Sequence, residues 1–266
     1  MELIDTHCHL TFEPLADDIE GVLERSESAG VASWITVGTD PQHNRKAVEL
    51  ADRFERMYAA VGVHPHDAKD VTGQIIAELR ELARSEKVVA IGETGLDYHY
   101  NLSPHAEQRR TFTAQLEIAR ELNLPVIIHC REAFDEAMSI LEQYIRVEGR
   151  LKGVVFHCFS GSAEQARIVL DHGFHISLTG VVTFKNAANA RQIAKNVPMD
   201  RLMLETDCPY MSPEPMRKQK INEPTLMIHT ARFVAELKEM PLDDFAAAAA
   251  ATSRDFFGLP WEGSAV

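Results

Sequence analysis

Short runs of β-branched and apolar residues alternate along this chain with longer stretches in which apolar positions recur every three or four residues. The runs ELIDTH, ASWITVG, MYAAVGV, VVAIGE, PVIIHC, GVVFHC, FHISLTG and RLMLET predict eight strands. Between them, LADDIEGVLERSESAG, HNRKAVELADRF, TGQIIAELRELARS, HAEQRRTFTAQLEIARELN, AFDEAMSILEQYIR, AEQARIVLDHG and ANARQIAKNV carry helical spacing, and several close on Gly or Asn. Strand and helix repeat at about the 30-residue period of a βαβ unit. No Gly/Ser-rich or Pro-rich linker breaks the series, so residues 1–266 read as one α/β domain, a closed (β/α)8 TIM-type barrel. An open doubly wound sheet is the alternative, but the GxGxxG turn after its first strand is missing. The alanine run in DDFAAAAAATSRDFFGL predicts a close-packed C-terminal helix, and the final WEGSAV is expected to fray.

Composition narrows the classes. A length of 266 residues with 45% hydrophobic content is enough for a large core. The formal net charge of −13 excludes a surface that grips nucleic acid over its whole face, so a polyanion would have to be met by a local basic patch or by bound cations. MELIDTHCHL does not open like a signal peptide, and no apolar run approaches membrane-spanning length. A soluble, cytoplasmic, monomeric protein away from membranes is the expectation. Its four cysteines, none in CxxC spacing, are expected to be reduced thiols.

Strands of a parallel barrel should be apolar throughout, so polar residues at their ends need a reason. His7 and His9 end the first strand, His64 follows the third, and Glu93, His129, His157 and Asp207 end the fourth, fifth, sixth and eighth. All fall at carboxyl ends, the face on which barrel active sites are built. Side chains alternate along a strand. His7 and His9 therefore share a face, and Cys8 points away. By the same alternation Cys130, Cys158 and Cys208 should face the helices as small hydrophobes.

Any one of these residues has an ordinary explanation, as a hydrogen-bonded histidine or a loop-capping acid. Four histidines and two carboxylates converging from five strands do not, because unpaired buried charge is costly. A divalent cation relieves that cost. Imidazole with carboxylate suits Zn²⁺, Mn²⁺, Fe²⁺ or Co²⁺ and leaves Mg²⁺ open, and six ligands exceed what one catalytic ion with an open position needs. Two ions are the natural count.

The ordered segments IDTHCHL, VGVHPH, IGETGLDY, LPVIIHCREAFDEAMSIL, FHCFSGS, ISLTGVVTFKNA, LMLETDCPYMSP and NEP resemble the TatD family of metal-dependent deoxyribonucleases, within the amidohydrolase-type barrels, over nearly the whole chain. The resemblance implies a TIM-type barrel with two metal ions that hydrolyses DNA phosphodiesters, often as a 3′–5′ exonuclease on single strands. It also implies that His7, His9 and Glu93 hold one metal, with Asp207 nearby. Glu93 would bridge to the second, held with His129 and His157. The chain departs from the family at RKQKINEP, where RGKRNEP is usual, and at Ser253, near which an asparagine is expected. The first change alters a loop of expected substrate contacts, and the second concerns packing.

Paired cations activate water for in-line displacement at phosphorus. Asp207 is the candidate to orient or deprotonate that water, and His64 to contact the phosphate or protonate the leaving oxygen. Glu205 and Asp5, two residues before Asp207 and His7, should lie one layer deeper on the same faces and support the ligands. Arg131, Lys185, Arg217, Lys218 and Lys220 are candidates for a patch that holds the DNA backbone. Tyr98 and Tyr100 are candidates for base stacking, whereas Phe184 fits lid packing first. Two other functions share these residues: a deacylase acting on aminoacyl-tRNA esters or a small amide, and a non-catalytic metal-binding scaffold.

Overall fold

The computed structural model describes residues 1–260, so the expected fraying of WEGSAV lies outside the described residues. All eight strands form: β1 (Leu3–Cys8), β2 (Val31–Val37), β3 (Met57–Val61), β4 (Val88–Asp97), β5 (Val126–Arg131), β6 (Val154–Phe156), β7 (His175–Leu178) and β8 (Leu202–Leu204). They make one parallel sheet in sequential order from β1 to β8. Backbone bonds just past the strand ends join the first strand to the last, from Asp207 N–H to the His7 carbonyl (2.9 Å) and from His9 N–H to the Cys208 carbonyl (2.8 Å). The result is the (β/α)8 barrel that the alternation of runs predicts.

Period-two alternation explains the layering. Ile4, Ile35, Ala60, Ile127, Val155 and Met203 pack together inside the ring. Their chain neighbours Leu3, Trp34, Ala59, Val126, Val154 and Leu202 belong to the separate layer under the helices. The helices of that outer layer are α1 (Ile19–Ser28), α2 (Pro41–Arg53), α3 (Gly73–Leu82), α4 (His105–Glu121), α5 (Phe134–Glu148), α6 (Ala163–Asp171) and α7 (Ala188–Asn196), followed by α8 (Met227–Leu237) and α9 (Leu242–Phe257). The sequence pattern did not single out α8, whose start has no side-chain cap.

The amino-terminal end of the barrel is plugged by α9, whose Ala250, Phe256 and Phe257 join the interior cluster. Gly153 permits this approach, since a Cβ there would lie 2.6 Å from the Phe256 ring. Ser253 is buried and donates to the Ala249 carbonyl (2.9 Å), so this position does concern packing. Among the described residues no helix is long and apolar enough to cross a membrane.

Candidate metal centre

At the opposite end, a cavity of about 630 Å³ opens between the loops, walled in part by His9, His64, Glu93, His129, His157 and Asp207. Glu93 is its centre. Oε2 lies 3.4 Å from His7 Nε2 and 3.7 Å from His9 Nε2, while Oε1 lies 2.8 Å from both His129 Nδ1 and His157 Nε2. Asp207 Oδ1 completes the first group at 3.3 Å from His9 Nε2 and 3.7 Å from His7 Nε2. The two histidine nitrogens are themselves 3.3 Å apart, as closely set as His157 Nε2 and His129 Nδ1 at 3.4 Å.

Such spacings fit divalent cations. Donors bound at about 2.0–2.1 Å to one tetrahedral ion lie roughly 3.3 Å from each other. For His9 and His129, a hydrogen bond on the far side of the ring sets which nitrogen has a free lone pair. His9 Nδ1 faces the Val37 carbonyl (3.1 Å) and His129 Nε2 faces Asp97 Oδ2 (3.0 Å), so protons there leave His9 Nε2 and His129 Nδ1 open toward the centre. His157 turns Nδ1 toward Glu205 Oε1 as an ion pair at 3.5 Å, without a hydrogen bond. His64 is the opposite case. Its Nδ1 accepts from His66 N–H (3.1 Å), so the neutral ring carries its proton on Nε2 and points a donor at Glu93 Oε1, 3.4 Å away. His64 is thus built to donate rather than to ligate, although it lies close enough to group with Glu93 and His129 around an ion.

Five carboxylates are buried at this end: Asp5, Glu93, Asp97, Glu205 and Asp207. Among the described residues the last four pair with histidines, Asp5 makes no ion pair, and no Lys or Arg pairs with any of the five. Burial would raise the Glu93 pKa, but His157 and His64 with their neighbours hold it well below the usual range. For Asp207 the same opposition, with His9 and His7 prevailing, also leaves it low. His157 is lifted well above its ordinary value against burial by Glu93 and Glu205, and His129 is lifted by Asp97 and Glu93. Burial and the adjacent His157 push His7 down, and burial takes His64 to about 4. Glu93 and Asp207, held ionised and facing imidazoles without a basic side chain, form a donor set that fits cations.

Asp5 and Glu205 have anchoring contacts. Asp5 accepts from Thr206 N–H (2.9 Å) and Thr206 Oγ1 (2.5 Å), joining β1 to the segment that carries Asp207, and burial raises its pKa to about 7. Glu205 accepts from Cys158 N–H and Ser177 Oγ, both at 2.6 Å. Its oxygens are committed there, so we read Glu205 as support for His157, even though it could group with His7 and His157 around an ion.

Other expectations need correction. β6 ends at Phe156, so alternation no longer applies to Cys158; with φ of 43° it lines the cavity, its thiol beside Thr179 and Met211 instead of toward the helices. Cys8 and Cys208 do pack in the outer layer, whereas Cys130, past the buried part of β5, packs against it and also lines the cavity. Of the expected basic patch, Arg131 lines the cavity and lies 4.8 Å over the Tyr100 ring, whereas exposed Lys185, Arg217, Lys218 and Lys220 are not among its wall residues. Arg217 covers the Phe184 ring at 3.9 Å, in keeping with lid packing. Tyr98 is turned away, stacked on His105 and bonded to Glu136.

Two residues, Asp97 and Asn222, were given no role in the sequence reading. Asp97 holds His129 and also lies 3.1 Å from His66 Nε2. It was hidden because β4 runs four residues past Glu93, a continuation that Gly95 allows: with φ of 136°, any Cβ there would lie 2.1 Å from the His129 carbonyl oxygen. The even spacing Glu93, Gly95, Asp97 was the available signal. Asn222, fully buried, donates to the Thr206 (3.0 Å) and Tyr210 (2.6 Å) carbonyls and so braces the turn around Asp207, where φ is 52°.

A parallel barrel that gathers buried acids and imidazoles at its carboxyl end has the make-up of a metal-dependent hydrolase. The family model described as TatD related DNase matches residues 4–258, and the chain belongs to the TatD family. It is 42% identical over 258 residues to the uncharacterized metal-dependent hydrolase YabD of Bacillus subtilis, covering 97% of this chain and 99% of that one. To the 3′–5′ ssDNA/RNA exonuclease TatD of Pantoea ananatis it is 36% identical over 262 residues, covering 97% and 100%. The crystal structure of the TatD homolog YJJV of Escherichia coli K12 superposes with a TM-score of 0.90 at 31% identity, covering 97% and 98%.

Proposed function

We propose that this chain is a single-domain, metal-dependent nuclease that hydrolyses DNA phosphodiesters from the 3′ end of single strands, in the cytoplasm and as a monomer. The observation that carries the reading is the split of Glu93 between two sets of donors, with no basic side chain paired to the buried acids. His7, His9, Asp207 and Glu93 would hold one divalent cation, and Glu93, His129 and His157 a second; Mg²⁺, Mn²⁺ and Zn²⁺ all suit such ligands. When bound, the pair supplies charge neutralisation at the phosphate and acidifies water.

The chain's own groups divide the remaining work. Asp207, kept ionised, orients the attacking water and takes its proton. His64, neutral with its proton on Nε2, donates to a phosphate oxygen or the leaving oxygen. Arg131 meets a neighbouring phosphate at the cavity wall. Asp97 and Glu205 fix the rings of His129 and His157. The exonuclease name of the 36%-identical relative supports the substrate class.

The test is release of 3′ nucleotides from labelled single-stranded DNA by the wild type and Glu93→Ala across Mg²⁺, Mn²⁺ and Zn²⁺, with metal analysis of both proteins. Metal-dependent release by the wild type alone is expected. Intact DNA beside rapid cleavage of an aminoacyl ester would replace the nuclease with a deacylase, and no turnover with any metal would leave a scaffold.

A further inference from the structure

A second cavity of about 530 Å³ adjoins the metal centre between the loops that follow β5 and β6. It shares Cys130, Arg131, His157 and Ser160 with the main cavity, so the two are neighbouring compartments with a common wall. Its chemistry differs. Phe134 and Phe159 supply aromatic surface, and the carboxylates of Glu132 and Asp135 stand at its edge. Glu132 is engaged by His99 Nδ1 at 2.7 Å, while Asp135 is exposed and has no ion pair or side-chain hydrogen bond among the described residues.

Two acids beside aromatic rings repel a phosphate. They suit a flat group that stacks on one side and donates hydrogen bonds on the other, which describes a nucleobase with an exocyclic amine. Arg131 on the shared wall gives the linking phosphate a cation between the compartments. We propose that this second cavity receives the nucleobase beside the scissile phosphate, stacked against the half-buried Phe134, and that Asp135 selects bases carrying an amine over thymine. The inference rests on the nuclease reading and adds base preference to it.

Oligo-dC and oligo-dT of equal length provide the test, with kcat/KM measured in the metal that best supports the wild type. The wild type should favour dC by about tenfold, the low end of what a correct carboxylate–amine contact discriminates. In Asp135→Ala the ratio should fall to within about twofold of unity, and Phe134→Leu should raise KM for both oligomers several-fold. A wild type indifferent to the base, a ratio that survives Asp135→Ala, or an unchanged KM in Phe134→Leu would each overturn the assignment while leaving the nuclease in place. If the wild type cuts neither oligomer in Mg²⁺, Mn²⁺ or Zn²⁺, the nuclease reading fails first and the base pocket with it.

Discussion

The two ends of the barrel are built from the same strands but by opposite rules. At the amino end, α9 closes the ring with Phe256 and Phe257 against Ile4, Val155 and Met203, and nearly every contact is apolar. At the carboxyl end the same strands deliver five buried acids and five imidazoles close enough to repel or attract one another strongly. Burial stabilises the first end directly, whereas the second is costly to assemble unless cations offset its charge. The difference teaches that stability and chemistry are separable here, and that substitutions at one end should leave the property housed at the other largely intact.

The largest effect should come from Glu93→Gln, which removes the charge shared by both donor sets. Hydrolysis should drop by about 10³-fold or more, the scale of lost electrostatic stabilisation, with bound metal falling in elemental analysis. The Tm of the metal-free protein should fall only modestly, because the imidazoles that lose their counter-charge, His157 first, can shed their protons; a collapse in Tm would mean that the ends are not separable.

Phe257→Ala at the floor reverses the pattern. Truncating this buried ring should cost about 3–5 kcal/mol in denaturant unfolding, while the protein that remains folded keeps its kcat/KM and metal content. A loss of metal without a loss of stability would break the comparison from the other side.

Asp97→Asn should weaken metal binding by about 10–100-fold, since it loosens His129 without removing a ligand. Isothermal titration with Mn²⁺ measures it. An affinity equal to that of the wild type would show that Asp97 does not steer the ring.

The smallest effect concerns pH at the floor. Burial pushes His175, which packs on Phe256, from 6.5 down to about 4. The unfolded chain therefore binds this proton first on acidification. Stability is complete above pH 6.5 and is lost as pH falls from there toward 4, by at most about 3 kcal/mol and less where water reaches the ring. His175→Gln should flatten that part of the stability–pH curve, and an unaltered curve would remove His175 from the account.

The sequence carried the barrel because parallel strands buried on both faces are apolar runs and the exceptions stand out one by one. His7, His9, Glu93, His129, His157 and Asp207 were legible as strand-end breaks, and the structure brings them together. Alternation stopped being informative where strands stop. Cys158 and Asp207 both sit past a strand end with positive φ, so Cys158 turned the wrong way for a period-two argument. Asp97 was missed for the converse reason, because β4 continues where the apolar run does not. Asn222 was legible only as a family motif, since its role is to bond carbonyls 12 and 16 residues away. Charge was the weakest guide: of five basic side chains in plausible loops, only Arg131 reaches the cavity.

The bond between Asp5 and Thr206 ties residues 201 positions apart. Until that seam shuts, the first strand's imidazoles and the last strand's acid belong to opposite edges of an open sheet and share no ion. On the proposed reading, hydrolysis would belong to the completed circle alone, and a partly assembled chain would carry every candidate ligand yet cut nothing.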